Sequence, residues 1–338
     1  MSVPLSILDL APIAADGTAA SALQDTLAVA RAADEAGYRR FWVAEHHGMP
    51  SIASSAPAVL IGAIADATSR IRVGSGGVML PNHSALVVAE QFGTLVALHG
   101  DRIDLGLGRA AGTDPLVSAT IRRGLDETVD GFPNQVLELL AYFGTLPPLE
   151  GGQGGRILAT PGLGDSPELW LLGSSDFSAR LAGMMGLPFA FAHHFAGGDL
   201  TDAVLELYRR EFTPSVVLRS PHAALAVSAL VAVTAAEARR RALPQALVML
   251  NMRQGRLLPR VPTVEDALAH PWTEAEAAWV DARFRPQAIG TAAHVLERLD
   301  ELAARTGADE LVLAIQGSTR EHRLDTVRAL APAFSAAG

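Results

Sequence analysis

Short apolar runs closed by Gly or Pro alternate along the chain with longer stretches whose apolar positions recur three and four residues apart. The run 3–10 ends before Pro12 and predicts a strand. Segment 21–36 carries Leu23, Leu27, Ala30 and Ala33 at helical spacing, and Gly37 stops it. The same alternation continues with a strand at 41–44, a helix at 56–68, a strand at 71–74, a helix at 84–99 and a strand at 103–107. A helix is predicted over 125–143. After it, 147–167 is rich in Gly and Pro, with one β-like piece at 156–160. Strands at 169–172, 188–192 and 223–233 then alternate with helices at 176–185, 200–212 and 235–252. Segment 253–285 is Pro-rich, charged and poorly periodic, with at most a short helix near 272–282. An amphipathic stretch at 294–305, a strand at 310–315 and a helix at 321–334 close the chain.

Eight strands alternating with helices is the count of a (β/α)8 TIM barrel, an α/β fold. The rival is a doubly wound open sheet, which would carry a G-x-G-x-x-G turn after its first strand. Here that strand leads into Ala11-Pro12-Ile13, which is no phosphate loop. The stretches near 147–167 and 253–290 read as insertion segments, because strands resume after both. Residues 1–338 therefore read as one domain.

Composition narrows the function. Of 338 residues, 49% are hydrophobic, enough for a large core. A net charge of −9 argues against nucleic acid, since no basic patch is available to neutralise phosphates. The absence of cysteine excludes disulfides and thiolate chemistry and fits a reducing compartment. The N-terminus lacks the features of a signal peptide, and no run of about 18 apolar residues suggests a membrane helix. The expectation is a cytoplasmic enzyme.

Candidate chemistry clusters at the C-terminal ends of the strands, where α/β folds bind ligands. Glu45-His46-His47 follows the second strand. Adjacent residues there point to opposite sides, so one imidazole can face the barrel mouth, poised for proton transfer, against the plainer reading of histidines hydrogen-bonded within a loop. A metal is not expected, because His83, His193 and His194 stand at no recognised ligand spacing. Gly173-Ser174-Ser175-Asp176-Phe177-Ser178 follows the fifth strand and opens a helix. Free amides and hydroxyls at such a turn suit a phosphate monoester, against the plainer reading of serine N-caps. Arg109, after Gly-Leu-Gly, suits a phosphate or a carbonyl, or else an ion pair with Asp104 or Asp114. Gly76-Gly77 permits an unusual backbone, including a non-proline cis peptide.

Four of these segments together carry a resemblance. They are Phe41-Trp42-Val43-Ala44-Glu45-His46-His47, the run from Val73 to Pro81, Gly106-Leu107-Gly108-Arg109, and the Gly173–Ser178 turn before Gly186-Leu187-Pro188. The chain resembles the bacterial luciferase-like flavin-dependent monooxygenases over residues 5–334, and within them the MsnO8-like subgroup. The resemblance implies a catalytic His46, a cis peptide at Gly76-Gly77 packed on the flavin, and flavin contacts from Met79 and Arg109. It implies a phosphate-binding turn at Ser174, Ser175 and Ser178, and a mobile loop at 253–285. Gly108 stands where the α subunit of bacterial luciferase has a reactive cysteine, so no cysteine-dependent feature is carried over.

The implied chemistry is oxidation of a small organic substrate by reduced FMN and O2 through a C4a-peroxyflavin. The pocket would be dry and lined by residues such as Met79 and Phe191. A separate flavin reductase would supply the FMN. Helices 56–68 and 84–99 match the family's dimer face, so a homodimer is expected. Two rivals remain. One is an F420-dependent dehydrogenase of the same fold, with Arg253, Arg256 and Arg260 near the mouth for the longer anionic tail. The other is a flavin-binding protein without catalysis.

Overall fold

In the computed structural model, residues 3–110, 115–122, 131–147, 157–196 and 200–331 are described. Nine parallel strands form: β1 (Leu5–Asp9), β2 (Arg40–Val43), β3 (Arg72–Met79), β4 (Ile103–Gly108), β5 (Glu168–Gly173), β6 (Phe189–Phe191), β7 (Ala223–Val231), β8 (Ala288–Gly290) and β9 (Glu310–Ile315). Strands β1 to β7 pair in sequence order, and β9 pairs with both β7 and β1, so eight strands close a TIM barrel. The eight expected strands are these eight. The short β8, unforeseen, pairs with β7 alone beside β9.

Most helices pack outside the barrel. The main ones are α1 (Ala19–Ala36), α2 (Pro57–Ala67), α3 (Ala85–His99), α4 (Pro115–Ile121), α5 (Phe132–Tyr142), α6 (Asp176–Met185), α7 (His193–Ala196) and α8 (Thr201–Arg210). After them come α9 (Ala235–Arg253), α10 (Val264–Ala269), α11 (Glu274–Phe284), α12 (Ala292–Thr306) and α13 (Arg320–Leu330). Residues 125–130 of the expected fourth helix, 148–156 of the first insertion and 332–334 of the closing helix lie outside the described residues. Among those described, no helix is long and apolar enough to cross a membrane.

The second insertion is more ordered than its composition suggests. Thr263 and Thr273 each cap a helix in a reciprocal capping box with Asp266 and Glu276, which starts α10 and α11 despite the prolines. Leu247 and Leu250 of α9 and Ala267 of α10 are buried together, with Trp272 and Trp279 packed against them.

Alternation along each strand separates two cores. Outward residues such as Ile7, Phe41, Val73, Leu105 and Phe189 meet the helices. Inward residues stack in layers. The floor, at the strands' N-terminal ends, is charged. Arg40 bonds Asp104 at 2.9 Å and Glu310 at 2.8 Å and lies 3.1 Å from Glu168, while Arg72 bonds Asp104 at 2.8 Å. Ser6 donates to Glu310. Above it Trp42 and Trp170 meet edge to face, ring centroids 5.4 Å apart. Higher still the inward residues are small: Ala44, Gly76, Gly108, Ala190 and Ala226. Small side chains there leave space, and the barrel's upper end is hollow.

Candidate active site

That hollow is a cavity of about 520 Å³, within the range typical of small-molecule sites. Every strand end named in the sequence analysis contributes. His46 follows β2; Gly76, Gly77 and Met79 lie on β3; Arg109 follows β4; Ser174 and Ser175 follow β5; Ser178 lies in α6. All eight expected site residues line this one cavity. Phe191 does not. On the three-residue β6 the inward position falls to Ala190, and Phe191 is sealed in the outer core.

The Gly173–Ser178 turn opens on the cavity. Ser175 is the N-cap residue of α6, yet its hydroxyl makes no capping bond. No described residue hydrogen-bonds the hydroxyls of Ser174, Ser175 or Ser178, so they and the helix's first amides face the cavity unclaimed. Arg109 joins them. Its guanidinium lies 4.0 Å from the ring centroid of Phe177, the cation–π arrangement that fixes its plane. Asp104, one expected partner of Arg109, is taken by Arg40 and Arg72. Asp114 lies outside the described residues. Arg253, Arg256 and Arg260 are elsewhere: Arg253 stands 5.7 Å from the Trp279 ring centroid, Arg256 bonds Asn251 at 2.9 Å and Arg260 bonds the Gly17 carbonyl at 3.0 Å. None of the three lines the cavity.

The histidine end rests on Glu45. Its carboxylate is buried, and one oxygen, Oε1, lies 2.6 Å from His47 Nε2 and 2.7 Å from His83 Nε2. The other, Oε2, accepts the Met79 amide at 2.9 Å. Sequence spacing gave no sign of His83, since only the close approach of β2 and β3 brings it to Glu45. The three side chains place one ligand atom each within 4.8 Å of one another. Their 2.6–2.7 Å separations are those of hydrogen bonds, with both imidazoles donating to the carboxylate. Burial works to raise the Glu45 pKa, but the bonds from His83, His47 and the Met79 amide outweigh it and leave it below the ordinary carboxylate range.

His46 itself points the other way, into the cavity. Burial, partly opposed by Glu45, lowers its pKa, so the ring is neutral at pH 7. Between its two ends the site is walled by the cis peptide Gly76–Gly77. A Cβ on Gly77 would lie 2.7 Å from the Gly106 carbonyl oxygen, so glycine is needed there for β3 to approach β4.

One cavity at the mouth of a TIM barrel thus gathers the unclaimed serine hydroxyls, Arg109, the Gly76–Gly77 backbone and His46, at the end of the barrel where enzymes of this fold carry their sites. The luciferase-like monooxygenase family matches residues 3–310. The chain belongs to that family and is an enzyme of the monooxygenase class. It is 40% identical over 329 residues to a luciferase-like monooxygenase of Escherichia coli (strain K12), covering 95% of this chain and 93% of that protein. It is 38% identical to MsnO8, whose crystal structure superposes with a TM-score of 0.88 over 98% of each chain. The MsnO8-like resemblance is thereby borne out. Two more distant structures show the fold alone. The oxygenating constituent of 3,6-diketocamphane monooxygenase, in complex with FMN, is 18% identical, with a TM-score of 0.70 over 98% of this chain and 97% of that one. An F420-dependent secondary alcohol dehydrogenase is 16% identical, with a TM-score of 0.67 over 98% and 99%.

Proposed function

We propose that this enzyme uses reduced FMN and O2 to oxidise a small organic substrate. The observation that carries the reading is the anion receptor: three unclaimed serine hydroxyls, the α6 N-terminus and Arg109 on one cavity with His46. It fits a single phosphate monoester. Ser174, Ser175 and Ser178 bind that phosphate, Arg109 neutralises it, and Gly76–Gly77 forms the wall for the flavin ring. Reduced FMN bound there supplies the electrons that activate dioxygen. His46, neutral and facing the cavity, holds or moves the proton at its Nε2. Leu8, Leu10, Met79, Leu172 and Phe195 keep the pocket apolar and exclude water. An F420 tail is longer and more anionic. Among the described residues Arg109 is the one arginine in the lining, which favours FMN.

Two further parts of the reading concern partners. A separate reductase delivers the reduced flavin. A second copy of the chain packs on α2 and α3, which expose Val59, Val87 and Leu98.

The test is anaerobic mixing with reduced FMN followed by an oxygen pulse and rapid-scan spectra. The expected result is flavin reoxidation much slower than that of free reduced FMN, and faster in His46→Ala. Reoxidation at the free-flavin rate would sink the reading.

A further inference from the structure

A second imidazole lines the cavity, and the reading above gives it no task. His194 stands on α7, directly after β6, and is 9% exposed. Its Nδ1 lies 3.1 Å from the Ala226 carbonyl oxygen on β7. A carbonyl only accepts, so Nδ1 carries the ring hydrogen and Nε2 carries a bare lone pair. Nε2 has no partner among the described residues, yet it is not sealed from solvent like the buried orphan atoms, so it opens on the cavity. Burial, above all, pushes the His194 pKa down to about 4, so this lone pair persists at neutral pH.

His46 is the converse. Its Nδ1 is sealed and unpartnered. Orphaned buried N–H groups are rarer than orphaned acceptors, so the hydrogen belongs on Nε2, facing the cavity. One imidazole therefore presents a donor to the cavity and the other an acceptor.

The acceptor is held firmly. The neighbouring His193 bonds Thr201 through Nδ1 at 2.7 Å and the Pro286 carbonyl through Nε2 at 3.1 Å. Arg283 of α11 donates to the His194 carbonyl at 2.9 Å. The second insertion thus fixes the turn that carries His194. The other side-chain acceptors of the lining already have tasks: the hydroxyls of Ser174, Ser175 and Ser178 are those the reading above gives to the phosphate, and the Glu45 carboxylate takes His47, His83 and the Met79 amide.

We propose that His194 is the substrate-recognition residue of this cavity: its Nε2 accepts a hydrogen bond from an O–H or N–H of the substrate. The preferred substrates are then small, mostly apolar molecules carrying one such donor. The proposal rests on reading the cavity as a monooxygenase site.

The test uses two isomers that differ in the donor alone, octan-1-ol and heptyl methyl ether. Each is titrated calorimetrically into the FMN-loaded protein. Wild type should bind the alcohol about tenfold more tightly, the worth of one buried hydrogen bond. His194→Phe should bind the two alike with FMN affinity unchanged. His194→Gln, which keeps both a donor for Ala226 and an acceptor for the cavity, should retain the preference, and it serves if the Phe variant does not fold. Equal affinity in wild type, no binding of either isomer, or a preference that survives in His194→Phe overturns the proposal. So does a loss of FMN affinity in His194→Phe, which would assign the acceptor to the cofactor. FMN binding is measured first by fluorescence. A protein that takes no FMN refutes the flavin reading, and the same titration without FMN still decides His194.

Discussion

The indole Nε1 of Trp42 donates to Asp104 Oδ2 at 2.9 Å, and this bond ties the layer beneath the cavity to the charged floor of the barrel. Asp104 has no exposed surface, and neither has Arg40, its partner at 2.9 Å. Arg40 is also the cation shared with Glu310 and Glu168. Removing one member of a buried ionic cluster leaves the others uncompensated in a poorly polarisable interior. Arg40→Met should therefore destabilise the protein by about 3–5 kcal/mol. The check is the midpoint of urea unfolding, with tryptophan emission reporting the Trp42 layer. An unchanged midpoint would show that the cluster is energetically neutral.

Glu45 makes a pH-dependent contribution whose sign follows from its bonds. Its pKa is lower in the folded protein than in the unfolded chain, so the unfolded state binds the proton first as pH falls. Its stabilisation is full above the ordinary carboxylate pKa and is lost as pH drops through the folded value. Glu45→Gln should cost about 2 kcal/mol at pH 7, the scale of hydrogen bonds to a charged acceptor. The deficit should shrink below about pH 4. Urea unfolding of both proteins from pH 7 to pH 3.5 tests this, and a deficit independent of pH would contradict it.

The barrel was legible because strand and helix periodicities differ and each run is contiguous. The Ser174–Ser178 turn and Glu45-His46-His47 were legible for the same reason. The charged floor was not. Arg40, Asp104, Glu168 and Glu310 each open or nearly open a strand, but they are scattered along the chain, with Arg40 and Glu310 270 residues apart. Closure of the barrel alone brings them together. Of the two helices of the second insertion, α11 matches the short helix expected near 272–282, whereas the six-residue α10 was not expected and is marked in the sequence by its capping box, Thr263 with Asp266, rather than by an apolar period. Gly76-Gly77 was read as an unusual backbone, packed on the flavin by the resemblance. At Gly77 the nearer constraint is the neighbouring strand, since an added methyl would meet the Gly106 carbonyl before anything in the cavity.

Gly77→Ala tests that distinction. A Cβ 2.7 Å from a backbone oxygen has no flexible neighbour to displace, so β3 must shift away from β4. The variant should lose about 1–3 kcal/mol of stability even without any ligand. Thermal unfolding of the ligand-free protein measures it. Full stability combined with weakened FMN binding would return the glycine to a ligand-clearance role.

The phosphate assignment yields the sharpest comparison, because FMN and riboflavin differ only in that group. If Arg109 and the α6 turn hold the phosphate, Arg109→Met should weaken FMN binding by about tenfold to a hundredfold, the worth of a charge-assisted contact in a partly enclosed site. Ser175→Ala should weaken it by up to about tenfold. Riboflavin affinity should change little in either variant. Parallel fluorescence titrations with the two flavins read the ratio directly, and the free state of the Ser175 hydroxyl means that its loss should leave α6 itself stable. Equal losses for both flavins would move Arg109 from the phosphate to the ring, and an unchanged FMN affinity in both variants would remove the anion receptor from the cofactor site altogether.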